Sequence, residues 1–228
     1  MKRPPKYAGA IFALVILFGG GSFLLGWSPV FTVRSVTISG APTQESELAV
    51  ARALEISKGD KLARLDPRAL SNRLRSFDWI DNSQVSRNWI SGKISISIQT
   101  RTPIALYSEP GKPQVALDAS GKTFAMPSDI AQGLPKVSAT SVEGGLAAIK
   151  LFTELPKSFS EKIDRMSAAR IDNFLIYGEF SGQNLRIIWG DGADTDLKVE
   201  VISALLQREE NKNLRMIDVS APHAPIVK

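Results

Sequence analysis

The stretch VSRNWISGKISISI, Val85 to Ile98, carries the clearest fold signal in the chain. Ile94, Ile96 and Ile98 alternate with Ser95 and Ser97, the period-two pattern of a strand with one dry and one wet face. Val85, Arg87 and Trp89 alternate before it. Ser91-Gly92 makes a tight connection, so two neighbouring strands are expected. Upstream, Asp66 caps a helix with Pro67 at its first position. Leu65 staples onto Leu70, and Leu74 and Phe77 continue the apolar stripe. Earlier still, Thr43 is the N-cap of another helix. Glu45 and Glu47 lie in its first turn, and Leu48, Ala51 and Leu54 or Glu55 fall at helical spacing. Lys58-Gly59-Asp60 turns the chain. Phe31 and Val33, then Val36 and Ile38 on the opposite parity, form an opening strand ended by Gly40-Ala41-Pro42. The parity change predicts a bulge or burial on both sides. Strand, helix, helix, strand, strand therefore run over 31–103.

Before this unit lies AGAIFALVILFGGGSFLLGW, Ala8 to Trp27, inside a run from Tyr7 to Val33 without a charged residue. At a helical rise of ~1.5 Å per residue it spans ~30 Å, the hydrocarbon thickness of a bilayer. Tyr7 and Trp27 bracket it as interfacial rings do. A cleaved signal peptide would have a shorter apolar core and a small-residue cleavage site, and Gly26-Trp27-Ser28-Pro29 is a poor one. A retained transmembrane helix is expected. Lys2, Arg3 and Lys6 precede it and only Arg34 follows closely, which places the N-terminal tail, 1–7, in the cytoplasm and the bulk outside.

Composition narrows the function. The chain has 228 residues and a formal charge of +5, which invites a nucleic-acid reading. Three of the 28 cations sit in the tail, however, and 25 cations against 23 acids remain beyond it, with no basic run interleaved with aromatics. With no Cys and one His, disulfide scaffolds, Cys-ligated zinc, thiol nucleophiles and multi-His metal sites are excluded. A Ser-His-Asp triad would have to use His223, which sits between two prolines. Asp191, Asp194 and Asp196 hint at calcium, but the twelfth position of such a loop is Ile202, so a capping turn explains them better. Gly190 and Gly192 lack the Gly-Lys-Ser/Thr of a phosphate loop. Trp79 and Trp89 read as packing residues beside apolar strands rather than stacking platforms. Arg68, Arg73, Arg75 and Arg87 read as a solvated helix face rather than a basic face near lipid. No catalytic residue, metal or cofactor is expected.

Beyond Thr102-Pro103 the signals are mostly β. Ile104–Tyr107 and Val115–Asp118 flank the turn Glu109-Pro110-Gly111, and Ala119-Ser120-Gly121 precedes Thr123-Phe124. Leu146, Ile149, Phe152 and Leu155 make a short helix stopped by Pro156. Asn173–Phe180 and Leu185–Trp189 form a hairpin around 181–184. Leu197, Val201, Ala204, Leu205 and Arg208 describe an amphipathic helix opened by Asp194 or Thr195. Leu214–Val219 and the apolar segment 224–228 read as strands.

Together these segments resemble a known family. The basic tail, the span and the run Phe31–Gly40 resemble the opening of a POTRA domain in the bacterial cell-division proteins of the FtsQ family, called DivIB in some bacteria. The resemblance continues through Trp79-Ile80, Val85–Trp89, Ile94–Ile98 and Arg101–Ala105. It extends over Leu117–Phe124, Leu134–Val137, Trp189-Gly190 with Lys198 after it, and Met216–Val219. Ile90 stands where the family often has Pro, and the tail is shorter than in many relatives. The resemblance implies an α+β protein: a transmembrane helix at 8–27, a POTRA domain (β-α-α-β-β) at 31–103, and a mixed β-rich domain with an antiparallel sheet and flanking helices at 104–228. It implies a non-enzymatic scaffold of the division machinery at the septum. Such a scaffold binds the single-span proteins FtsB (DivIC) and FtsL outside the cytoplasm and links them to septal wall synthesis. The partner would add to the last strand, so the expected binding residues are Ala224, Pro225, Ile226, Val227 and Lys228, framed by Ile217 and Val219. A terminal strand lying at a sheet edge supports this on general grounds. The alternative is a secreted hydrolase whose signal peptide is removed.

Overall fold

In a computed structural model of the chain, residues 8–27, 31–126 and 133–228 are described. The tail cations Lys2, Arg3 and Lys6, with Tyr7 and Ser28-Pro29, lie outside them. Helix α1 covers Ala8–Trp27, 20 residues without an acidic or basic end. Its described apolar side chains are exposed, Leu17 and Phe18 among them. Counted over described residues alone, no helix is long and apolar enough to cross a membrane.

The chain divides into two compact units, the first ending at Arg101 and the second covering Thr102–Lys228. The first unit continues with β1 (Ser35–Ser39), α2 (Gln44–Leu54), α3 (Pro67–Leu74), β2 (Ile80–Asn88) and β3 (Lys93–Thr100). The sheet order is β1-β3-β2, with β1 parallel and β2 antiparallel to β3. Ile94, Ile96 and Ile98 are buried, as are Val50 and Leu54 of α2 and Leu70 and Leu74 of α3. Asp66 accepts from the Arg68 amide and Pro67 opens α3, so the cap forms as the sequence implies.

Two expectations here are corrected. In α2 the buried positions are Ser46, Val50 and Leu54, while Leu48 is exposed. The Thr43 cap holds Ser46 through both its amide and its hydroxyl, which lets a polar side chain enter the buried stripe. The parity change at 33–36 is neither a bulge nor double burial. Val33 pairs with Gly59 and Asp60, and the chain then changes partner to β3, with Val36 and Ile38 at a sheet edge.

The second unit carries a nine-stranded sheet. Its strands are β4 (Pro103–Ser108), β5 (Val115–Asp118), β6 (Thr123–Phe124), β7 (Lys136–Ala139), β8 (Ile163–Arg170), β9 (Asn173–Phe180), β10 (Gln183–Gly190), β11 (Met216–Asp218) and β12 (Ile226–Val227). Their order is β12-β11-β10-β9-β8-β7-β4-β5-β6. The sheet is mixed rather than antiparallel throughout, because β4·β7, β7·β8 and β10·β11 are parallel. Helices α4 (Val142–Glu154) and α5 (Lys157–Ser160) lie in the β7-to-β8 crossover and α6 (Thr195–Leu206) in the β10-to-β11 crossover. The core joins Ile149 and Leu151 of α4, Phe159 of α5 and Ile202 of α6 to Tyr107, Met166, Ile176, Ile187, Trp189 and Ile217 of the strands. Gly145 of α4 lies against the Tyr107 ring, where a Cβ would come within 2.9 Å, so only glycine permits this helix-to-sheet approach. In α6 the buried positions are Lys198 and Ile202, one step round from the expected Leu197–Val201 stripe.

Candidate functional site: an open sheet edge

The outermost strand beside β11 is β12, and its pairing decides what it offers. Met216 and Lys228 exchange both backbone hydrogen bonds, each 3.0 Å. The register continues Ile217↔Val227 and Asp218↔Ile226, antiparallel. In such a ladder hydrogen-bonded pairs alternate with non-bonded ones. Ile226 and Lys228 therefore turn their amides toward β11, and Val227 turns its N–H and C=O outward. Pro225 has the same parity as Val227, so its missing N–H falls on the outer side and costs the β11 ladder nothing.

The side chains divide the same way. Val227 packs on the main core, beneath which Ile217 and Val219 are fully buried, while Ile226 is 54% exposed. Ile217 and Val219 thus support the edge from inside and present no side chain to a visitor. Ala224 is exposed and donates its amide to Ala221 O in the turn between β11 and β12. His223 is exposed in the same turn. The edge is blunted against indiscriminate pairing by its length of two residues, by Pro225 and by Lys228.

Behind the edge sits an anchor the sequence reading missed. Lys198 of α6 is almost fully buried, and its ammonium donates to Asp191 O and Asp191 Oδ1, each at 3.0 Å. It lies 5.6 Å from the centroid of the buried Trp189 ring. The Lys198 hydrogen bond, then the Ala193 amide, holds the Asp191 carboxyl below its ordinary value. Asp191 therefore fastens α6 to the end of β10, and its oxygen is committed to that task. Asp194 occupies the N-cap position of α6 in left-handed backbone and makes no side-chain cap. The signal available in sequence was the pair Asp191 and Lys198 across a strand-to-helix turn.

The remaining candidates disperse. Trp79 is buried against Phe77, with ring centroids 5.8 Å apart. Trp89 is partly exposed and meets Phe31 edge-on at 6.0 Å. Arg73 reaches Leu54 O and the Glu55 carboxylate. Arg87 instead donates to Leu62 O and Leu65 O, so it does not share a face with the α3 arginines.

Comparison with known proteins gives the fold its relatives. The family model "POTRA domain, FtsQ-type" matches residues 31–101. The chain is 27% identical over 228 residues to the cell division protein FtsQ of Mycobacteroides abscessus, covering 96% of this chain and 68% of that protein. It is 26% identical over 224 residues to the FtsQ of Myxococcus fulvus, covering 91% and 76%. Over 139 residues it is 27% identical to the FtsQ of Salinibacter ruber, spanning about half of that protein's length. With a POTRA domain of the FtsQ type matched at 31–101, a large sheet after it, and FtsQ cell-division proteins as relatives, the chain resembles the FtsQ/DivIB family over nearly its whole length.

Proposed function

We propose that this cell-division protein is a non-enzymatic assembly scaffold that captures a partner strand along β12. The observation that carries the reading is the outward-facing amide and carbonyl of Val227 at the edge of the sheet. An unpaired edge is a template for strand addition, in which main-chain hydrogen bonds give affinity and alternate side chains give selectivity. An incoming strand meets Val227 N–H and C=O and Pro225 C=O. Exposed Ile226 and Lys228 provide the flanking contacts, with Ala224 marking the start of the edge. The partner is an FtsB-like (DivIC-like) single-span protein, with an FtsL-like protein carried beside it, linked in turn to septal wall synthesis.

The same reading assigns 1–7 to the cytoplasm, 8–27 to a membrane span, 31–103 to the POTRA domain and 104–228 to the partner-binding β domain. The charge-free sequence of α1 and its exposed apolar side chains support the span. The secreted-hydrolase alternative gains nothing from His223 in its exposed turn, and the division relatives weigh against it.

Val227→Pro is the decisive variant. It deletes the outward N–H and leaves the bonds to β11 in place. The expected result is loss of FtsB-like partner capture by the full chain, with a cooperative urea transition kept and its midpoint lowered only modestly by the altered Val227 packing. Undiminished capture by the folded variant would refute edge pairing.

A further inference from the structure

Within residues 31–101 the charge is lopsided, and the basic end also carries the exposed Ile90. Residues 31–34, 57–65 and 87–93 form one end of the unit through mutual hydrogen bonds. Val33 donates to Asp60 O, Leu62 to Phe31 O and Arg34 to Gly92 O, while Arg87 donates to Leu62 O and Leu65 O. That end holds six cations, Arg34, Lys58, Lys61, Arg64, Arg87 and Lys93, and one acid, Asp60. The rest of 31–101 holds five cations and six acids. At the tip of the β2–β3 connection, Ile90 is 92% exposed beside the half-open ring of Trp89.

Three features select a lipid surface as the occupant. The first is tether length: three residues separate Trp27 of α1 from Phe31, and four Cα-to-Cα steps reach at most about 14 Å. The second is chemistry, since a part-exposed tryptophan beside an aliphatic tip and a concentration of cations matches an anionic headgroup layer over acyl chains. The third is the backbone. Entering the interface requires the tip amides to be satisfied internally. Asn88 Oδ1 accepts from the Ile90 and Ser91 amides, and Asn88 O accepts from Gly92. The tip presents side chains without unmet donors at these positions.

We propose that Trp89 and Ile90, with Arg34, Lys58, Lys61, Arg64 and Lys93 at the same end, dock the POTRA unit onto the anionic membrane surface beside its own anchor. This rests on the reading of α1 as a membrane span. Because the chain has no Cys, single-cysteine labelling of the full chain tests both claims separately. A fluorophore is placed at Ile90→Cys, at Leu48→Cys on exposed α2, or at Phe18→Cys in α1. Each protein is reconstituted into phosphatidylcholine vesicles, with and without about one lipid in three as phosphatidylglycerol, and with quencher carried on the lipid headgroups. The expected result is severalfold stronger quenching at Ile90→Cys than at Leu48→Cys in the anionic vesicles. That difference should collapse when Lys58, Arg64 and Lys93 are changed together to Glu. Equal, weak quenching at both positions with Phe18→Cys shielded from aqueous quencher would overturn the docking tip alone. A Phe18→Cys label open to aqueous quencher would overturn the anchor reading, and the tip with it.

Discussion

Asp191 shows how a single carboxylate sets the behaviour of the second unit. Lys198 is buried, so its ammonium depends on the two oxygens Asp191 supplies. Removing the carboxylate with Asp191→Ala leaves one backbone acceptor and should cost about 1–3 kcal/mol of stability, measured by urea unfolding. Asp191→Asn keeps an acceptor and should cost less. The sign of the pH effect follows from the lowered carboxyl. Its contribution is present above the ordinary value of 3.8 and is lost as pH falls through the lower folded value. The acid slope of stability should therefore be shallower in Asp191→Asn than in the parent chain. Little of this was legible in sequence. Lys198 falls where a helix normally shows its wet side, and only the fold reveals that the turn at 191–194 brings an acid over it.

At the scale of elements, local chemistry was read well and long-range pairing poorly. The isoleucine alternation of β3 and the Asp66-Pro67 start of α3 are complete within a few residues, and the structure contains both. Strand β8 was not anticipated, because its buried positions are Met166 and Ala168 and its partners are distant β7 and adjacent β9. The hairpin β9–β10 was expected, but its turn is tighter than the four residues read from sequence. Phe180 pairs with Gln183, and Ser181 and Gly182 take φ of 52° and 75°, a pattern of type I′. Serine pays a steric cost there that asparagine largely escapes. Ser181→Asn should raise stability by about 0.5 kcal/mol, read as a higher urea midpoint at unchanged slope. The edge itself was anticipated, whereas the outward direction of Val227 was not, since it depends on register with β11 and not on composition.

For the whole molecule, the useful distinction is between charge as a total and charge as a distribution. The +5 of the chain says little. Its concentration at one end of the first unit, beside an exposed Ile90, carries the membrane argument. Partner capture also has a global signature. A strand bound at β12 stabilises the folded chain over the unfolded one, and a partner segment at a hundredfold its Kd adds about 2.7 kcal/mol. Thermal midpoints should therefore rise with partner concentration, and backbone amides of Met216 and Lys228, which never touch the partner, should exchange more slowly. A flat midpoint across saturating partner would count against docking at this edge.

The order of the nine strands also sets a timetable. Strand β4 comes first in the chain of the second unit and lies inside the sheet, between β7 and β5, while β12 comes after every other strand and lies at the rim. In a chain emerging from its N-terminal side this rim is the last of the described strands to appear, whereas the opposite rim, β6, comes third. The proposed docking rim exists only once β11 has found β10 and the crossover through α6 is in place. A partner that adds a strand to this border, as proposed, would consequently proofread its host: half-emerged or misassembled copies would offer it nothing to hold, and only a finished sheet would be admitted.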